Sequence, residues 1–184
     1  FAGTGDAPWQ PDGPSAPQNA YGRSKLAAEI GIRDSGAVHA ILRTSWVVSA
    51  HGANFVKTML RLSDTRDALT IVADQIGGPT PARYIAAACL QIADQLIVDP
   101  SKSGTYHYSG APDVSWADFA WAIFEQAGKR VKVTPIPTTD YPTPAKRPLN
   151  SRMNCSAAKQ VFGIARPNWR DGLHVILKDL EVTK

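Results

Sequence analysis

Residues 17–29 read Pro-Gln-Asn-Ala-Tyr-Gly-Arg-Ser-Lys-Leu-Ala-Ala-Glu, and this stretch decides how the rest of the chain is interpreted. Asn19 is a favourable N-cap and Gly36 a favourable stop, so the sequence predicts a helix over about 18–35. The apolar run at 38–48 follows at once, and its β-branched residues predict a buried strand. A helix that leads into a buried strand is typical of α/β proteins.

The remaining sequence continues this alternation. Ser115, with Asp118 three residues later, fits the N-cap of a further helix. Helices are predicted at 54–62, 82–98, 115–127, 156–162 and 168–180. Strands are predicted at 69–73, 104–109 and 131–136. Strands that alternate with helices predict an α/β fold with mainly parallel pairing.

Charge and composition exclude several classes of protein. The 184 residues are 43% hydrophobic, which excludes wholesale disorder, and the net charge is +4. Residues 101–184 hold 12 basic and 7 acidic residues, whereas 1–100 hold 8 and 9. No dense Lys/Arg stripe is present, so we expect no nucleic-acid partner. The cluster Lys146, Arg147 and Arg152 suits a diphosphate better.

Membrane and metal chemistry find little support in the sequence. No apolar run approaches the roughly 20 residues of a membrane span, so no membrane partner is expected. The two cysteines form no Cys-x-x-Cys motif, and the four histidines are scattered. This pattern argues against a disulfide scaffold and against a cysteine or histidine metal site.

Tyr21 and Lys25 form the candidate catalytic pair. Their spacing of four places both side chains on one helix face, about one turn apart. An ammonium beside a phenol stabilises the phenolate, so Tyr21 could give a proton to a ketone oxygen while a hydride reaches the carbon. The pair alone is equally compatible with a surface Tyr beside a surface Lys.

The surrounding sequence favours the catalytic interpretation. Gly22 and Ser24 are poor helix formers, which suggests close packing there. Tyr21-Gly-x-Ser-Lys25, preceded by Phe1-Ala-Gly-Thr4, resembles the active-site helix of the extended short-chain dehydrogenase/reductase family, which carries Tyr-x-x-x-Lys. That family commonly has Asp where this chain has Ala2.

Further motifs narrow the resemblance to one group within that family. They are Arg43-Thr44-Ser45-Trp46-Val47, Gly52-Ala53-Asn54-Phe55-Val56, Asp74-Gln75-Ile76-Gly77-Gly78-Pro79-Thr80 and Arg147-Pro148-Leu149-Asn150-Ser151. In this order, over about residues 1–169, the chain resembles the dTDP-4-dehydrorhamnose reductases of that family. The resemblance implies a partial Rossmann-like, doubly wound parallel sheet with an interleaved, smaller α/β substrate-binding domain.

The resemblance also implies roles for individual residues. Tyr21 would be the catalytic acid, and Lys25 its helper; both would contact the cofactor. Thr44 and Ser45 would lie beside the nicotinamide. Substrate contacts are implied for Trp46, Asn54, Phe55, Gln75, Arg147 and Asn150.

Structural roles remain open for several of these residues. Trp46 also fits a core position on a buried strand. Asn54 and Phe55 fit an ordinary N-cap followed by a core aromatic residue. Arg147 fits a solvated basic loop.

Cofactor and domain organisation follow from the same resemblance. NADPH or NADH is implied, yet the Gly-x-x-Gly-x-x-Gly phosphate loop of a dinucleotide fold occurs nowhere in the sequence. We therefore expect a C-terminal portion that lacks the glycine-rich segment and is inactive alone. Residues 1–50 and about 80–100 are assigned to the cofactor domain, and 51–79 and 101–184 mainly to the substrate domain. Some family members bind magnesium, but no ligand can be assigned here.

The implied activity is reduction of the 4-keto group of dTDP-4-dehydro-L-rhamnose to dTDP-L-rhamnose by NAD(P)H. The substrate partner would be a nucleotide sugar, and the location cytoplasmic. The resemblance allows a homodimer. Two alternatives stay open: a non-catalytic, nucleotide-binding regulatory homologue, and another nucleotide-sugar reductase or epimerase.

Overall fold

The computed structural model describes residues 1–143 and 147–183. These ranges contain the helices α1 (Ala20–Asp34), α2 (Phe55–Ser63), α3 (Ala82–Val98), α4 (Trp116–Gln126), α5 (Ser156–Phe162) and α6 (Trp169–Asp179). They contain the strands β1 (Ala40–Arg43), β2 (Val47–Val48), β3 (Ala68–Val72), β4 (Ile76–Gly77), β5 (Thr80–Pro81), β6 (Gly104–His107), β7 (Val114–Ser115) and β8 (Lys132–Ile136).

The strands pair two by two across these described ranges. β1 pairs with β6, β2 with β5 and β3 with β8, all in parallel, whereas β4 and β7 are antiparallel. The prediction of an α/β chain with mainly parallel pairing is therefore confirmed. Parallel pairs need a crossover between their strands, and the intervening helices supply it.

Two predicted helix caps are confirmed. The Asn19 Oδ1 atom accepts a hydrogen bond of 2.9 Å from the backbone N–H of Gly22 at the start of α1. Ser115 and Asp118 form a reciprocal capping box on α4. Each cap satisfies backbone N–H groups that the first helical turn leaves without partners.

The predicted strand at 38–48 is wrong as a single element. The structure divides it into β1 and β2, because the backbone of Trp46 adopts a φ of 49°. A left-handed conformation is costly for a bulky residue, and it turns the chain out of the extended path. Val47, next in the chain, is partly exposed, so the run is not buried throughout.

Two hydrophobic clusters hold the fold together. The larger one joins α2, α4, α6 and β3, and the aromatic residues Phe119, Phe124 and Trp169 are buried within it. The smaller one joins α3, α5 and β6, with Tyr106 and Phe162 in edge contact. Burial of apolar side chains is the main favourable contribution to folding, so these clusters fix the elements that they join, whereas α1 contributes no residue to either cluster.

The division of the chain into a cofactor and a substrate domain stays a prediction. The pairing of β6 with β1 joins residues 104–107 to the part of the chain assigned to the cofactor domain. The smaller cluster likewise combines α3 with residues 156–164. Residues 104–107 and 156–164 therefore pack against elements assigned to the cofactor domain, although residues 101–184 were assigned mainly to the substrate domain.

Candidate functional site

The candidate catalytic pair lies on an open face of α1. The Tyr21 side chain is 71% exposed, and the Lys25 Nζ atom lies 5.5 Å from the centre of its ring. Gly22, beside Tyr21, packs against the loop before α1: a Cβ atom there would lie 2.9 Å from the Cβ atom of Pro17. The close packing predicted at Gly22 is thus present, while the phenol stays accessible to a ligand.

An ion pair attaches α1 to strand β1. No residue of α1 is fully buried. Glu29 accepts two hydrogen bonds from the Arg43 guanidinium, Nε to Oε1 at 2.8 Å and Nη2 to Oε2 at 2.7 Å. Hydrogen bonding to Arg43 keeps the pKa of Glu29 below its usual range, against the opposing effect of burial. Both side chains are only 14% exposed.

Trp46 lies in an aromatic stack at the end of the same segment. Its indole is nearly parallel to that of Trp116, with ring centres 3.5 Å apart and an interplanar angle of 8°. Gly77 packs against it so closely that a Cβ atom there would lie 2.8 Å from the Cε2 atom of Trp46. Stacking and the absent side chain at residue 77 together hold the strained backbone of Trp46.

Gln75 fixes the other tryptophan of this stack. Its Oε1 atom accepts a hydrogen bond of 3.2 Å from the Trp116 Nε1 atom, and its Nε2 atom donates to the Thr138 hydroxyl at 3.1 Å. Gln75 is buried, and these contacts occupy both ends of its amide. The geometry therefore favours a role in orienting Trp116 over direct contact with a substrate.

Asn54 and Phe55 begin α2 next to the aromatic stack. The Oδ1 atom of Asn54 faces the Lys57 N–H, and its Nδ2 atom donates to the Ser49 carbonyl at 2.7 Å. Phe55 lies 4.5 Å from Trp116, centre to centre, and packs on the larger cluster. Both residues thus have structural roles, and Phe55 also lines the stack.

Asn150 and Arg147 behave differently from each other. Asn150 is buried, donating to the Ala7 carbonyl at 2.8 Å and accepting from the Arg152 N–H at 3.1 Å. These contacts connect the loop at residues 3–9 to the segment at 149–152, which favours a positioning role for Asn150. Arg147 is exposed and makes no hydrogen bond or ion pair within the part of the chain that the structure describes. Lys146, predicted beside it, lies outside the described residues.

Thr44 and Ser45 connect Arg43 to Trp46. The Thr44 hydroxyl is buried and has no hydrogen-bond partner among the described residues. The Ser45 hydroxyl donates weakly to the Gly78 carbonyl at 3.4 Å. A buried hydroxyl without a partner is uncommon in proteins, and a bound ligand is one way to satisfy it.

The structure thus brings some of the predicted residues together and not others. Trp46, Phe55 and Gln75 meet around Trp116, the first residue of α4, for which the sequence predicted no role in the site. No ring contact or hydrogen bond within the described ranges joins Tyr21 to this stack. The signal for Trp116 was weak, because an aromatic residue at a helix start is usually part of the core.

Comparison with known proteins adds a family to this geometry. The model of the RmlD substrate binding domain matches residues 1–182. The chain belongs to the RmlD substrate binding domain family.

Relatives of this RmlD family member are named as reductases. The dTDP-4-dehydrorhamnose reductase of Sinorhizobium fredii is 44% identical over 93% of the chain and 60% of its own length. The chain therefore spans about 60% of the length of the curated relatives it matches.

Solved structures agree with the RmlD assignment. A dTDP-4-dehydrorhamnose reductase from Clostridium acetobutylicum has a TM-score of 0.90 at 35% identity, covering 98% of this chain and 62% of its own. The Bacillus anthracis dTDP-4-dehydrorhamnose reductase in complex with NADP has a TM-score of 0.85 at 34% identity, covering 97% and 62%. The fold of this RmlD domain is thus that of Rossmann-like reductases.

Neither a metal-binding cluster nor a membrane-spanning helix occurs among the described residues. Residues 1–143 and 147–183 hold no group of three or more His, Cys, Asp or Glu side chains that could bind a metal ion. Within the same residues, no helix combines the length and the apolar character that crossing a membrane requires.

His107 is a buried histidine at the end of strand β6. It is fully buried, and its Nδ1 atom lies 3.0 Å from the Trp9 carbonyl oxygen. Because a carbonyl only accepts, Nδ1 carries the proton in the neutral ring. Burial, reinforced by the nearby Arg43 charge, lowers the pKa of His107 to about 4, although Trp9 and Glu29 act in the opposite direction.

This histidine makes stability depend on pH. We expect the free energy of unfolding to fall as the pH is lowered from about 6.5 to about 4. In this range His107 binds a proton in the unfolded chain but stays neutral in the folded protein. The loss attributable to this group is at most roughly 3 kcal/mol, and above pH 6.5 the group contributes no slope. Denaturant unfolding at a series of pH values measures it. His107→Asn should flatten the curve in that window, and an unchanged slope in this variant would contradict the assignment.

Proposed function

We propose that the protein carrying this chain reduces the 4-keto group of dTDP-4-dehydro-L-rhamnose to dTDP-L-rhamnose, using NADPH or NADH. The observation that carries the proposal is the exposed Tyr21 phenol with the Lys25 ammonium beside it. Support comes from the family and from relatives named dTDP-4-dehydrorhamnose reductase, which are similar over almost the whole chain.

Residues of this chain fit a nicotinamide cofactor. Tyr21 and Lys25 offer an accessible hydroxyl and an ammonium on one helix face, and the Thr44 hydroxyl is buried without a partner among the residues that the structure describes. These residues would hold the ribose and nicotinamide end of the cofactor. When bound, the cofactor supplies a hydride to the carbonyl carbon.

Tyr21 would complete the reduction by proton transfer. Its hydroxyl donates a proton to the ketone oxygen as negative charge develops there, which turns the carbonyl into an alcohol. The Lys25 ammonium, 5.5 Å from the ring centre, would lie beside the phenolate that remains. Solvent can return the proton to Tyr21, because its side chain is open.

The aromatic stack would bind the sugar nucleotide. The contacts of Trp46 with Trp116 and Gly77 fix its indole, which is only partly buried, so its remaining surface would meet a sugar ring without losing conformational freedom. Arg147 is the exposed cation that would approach the diphosphate, and an arginine can bind two phosphate oxygens at once.

The test is turnover by the full-length protein. With NADPH and dTDP-4-dehydro-L-rhamnose, we expect oxidation of the nicotinamide matched by formation of dTDP-L-rhamnose. Binding of nucleotide without turnover would indicate the regulatory homologue, and turnover of a different nucleotide sugar alone would indicate another reductase or epimerase. Either result would contradict the proposal.

Removal of the Trp46 indole should weaken substrate binding. We expect Trp46→Ala to raise the KM for the nucleotide sugar by about fivefold, since stacking on an aromatic ring contributes roughly 1 kcal/mol. Trp121→Ala is the matched control, because Trp121 is an exposed tryptophan outside the stack. Steady-state kinetics of both variants check this, and equal KM values in the two would contradict the role of Trp46.

A cytoplasmic location and a homodimer stay predictions. We assign no residue as a magnesium ligand.

A further inference from the structure

We propose that Arg43 is a positioning residue for the reaction. Through its two hydrogen bonds to Glu29, it would hold α1 so that Tyr21 and Lys25 keep their orientation toward the reacting ketone. The inference rests on the proposed reduction and extends it to a residue outside the catalytic pair.

The contacts of Arg43 fix it on both sides. Its Nε and Nη2 atoms donate to the two oxygens of Glu29 at 2.8 and 2.7 Å, and its Nη1 atom donates to the Pro11 carbonyl at 3.1 Å. The guanidinium also lies over the ring of Phe1, 5.1 Å from its centre. Arg43 thus joins helix α1, strand β1 and the loop before α1 in one contact group.

The position of Glu29 on α1 links this group to the catalytic pair. Tyr21, Lys25 and Glu29 follow at intervals of four residues, so their side chains lie along one face of the helix. Glu29 lies about 12 Å along the axis from Tyr21, at 1.5 Å of rise per residue. A shift or rotation of α1 at Glu29 is therefore carried to both catalytic side chains.

Other attachments of α1 are weaker. No α1 residue is fully buried, and the apolar residues Ile30 and Ile32 are partly exposed. Arg33 also bonds Glu29, but its side chain is 39% exposed and it reaches strand β6 only through Thr105 at 3.3 Å. With little apolar burial to fix the helix, the paired hydrogen bonds to Arg43 would set its orientation.

Arginine suits this role better than lysine. The planar guanidinium matches both oxygens of a carboxylate, and this two-point contact fixes an angle as well as a distance. A lysine keeps the charge but makes a single, rotatable contact. The substitution Arg43→Lys therefore separates orientation from mere charge.

The experiment compares Arg43→Lys and Glu29→Gln with wild type in the full-length protein. We expect kcat to fall about 10- to 100-fold, because small displacements of a catalytic group are costly, while the KM for the nucleotide sugar changes little. Amide hydrogen exchange should accelerate in α1 and not in α4. The double variant should lose no more than the worse single variant, since both remove one interaction.

Lys129→Gln is the control, because it removes an ion pair of similar length, 2.9 Å to Asp64, that is more exposed and involves no residue of α1. It should leave kcat unchanged. A folded Arg43→Lys protein with wild-type kcat would overturn the proposal, as would faster exchange in α1 with unaltered kcat. If Arg43→Lys fails to fold, Glu29→Gln decides by the same two readouts.

Failure of the proposed function gives a different pattern. In that case wild type does not reduce the substrate at all, and exchange in α1 alone tests the attachment. Unchanged exchange in both variants would then overturn the role of Arg43, and faster exchange confined to α1 would support it.

Discussion

Tyr21→Phe should reduce kcat for the reduction of dTDP-4-dehydro-L-rhamnose by about 100- to 10,000-fold. That range is what a positioned general acid contributes, and phenylalanine keeps the ring while removing the only proton it can donate. Stability should be nearly unchanged, because the Tyr21 side chain is 71% exposed and no hydrogen bond of its hydroxyl holds the described fold.

The measurement is single-turnover hydride transfer in the full-length protein, with substrate bound at saturation. Tyr141→Phe provides the matched control, since Tyr141 is an exposed tyrosine in the loop after β8. We expect wild-type transfer in the control. Near-normal transfer in Tyr21→Phe would contradict the role of Tyr21 as the acid.

Trp169→Ala should lower the free energy of unfolding by about 3–5 kcal/mol, the usual cost of removing a large buried aromatic side chain. Trp169 is 1% exposed and meets Phe119 edge-on, with ring centres 5.2 Å apart. Its Nε1 atom donates to the Pro112 carbonyl at 2.8 Å, so the variant also loses this hydrogen bond.

Chemical denaturation followed by circular dichroism measures this loss. Trp121→Ala is the control, because the Trp121 side chain is 54% exposed on α4 and its removal should cost at most about 0.5 kcal/mol. Equal losses in the two variants would contradict the placement of Trp169 in the larger hydrophobic cluster.

Local patterns in the sequence predicted the helices well. α3 and α5 occupy the residues predicted for them, and Asn19 and Ser115 cap their helices as predicted. Capping and helical periodicity depend on residues within one or two turns of each other. Such features are therefore visible in the sequence without knowledge of the tertiary structure.

Tertiary contacts decided what the sequence did not reveal. The left-handed backbone of Trp46 depends on Trp116 and Gly77, which lie 70 and 31 residues away in the sequence. An apolar run looks like one strand unless these partners are known.

The roles of site residues show the same limit. Gln75 and Asn150 resemble substrate contacts in sequence, yet their amides are occupied by Trp116, Thr138, Ala7 and Arg152. Glu29 and Arg43 were not singled out as a pair, because a helix and a following strand give no local sign of a bidentate contact. Only the three-dimensional arrangement shows which polar side chains are free to meet a ligand.

The most direct test of the proposed reaction is isotope transfer in the full-length protein. The protein is incubated with dTDP-4-dehydro-L-rhamnose and NADPH that carries deuterium at the transferable position of the nicotinamide. The proposal predicts deuterium at C4 of the dTDP-L-rhamnose formed, and loss of that product in Tyr21→Phe. Product without deuterium at C4, or no product from wild type, would contradict it.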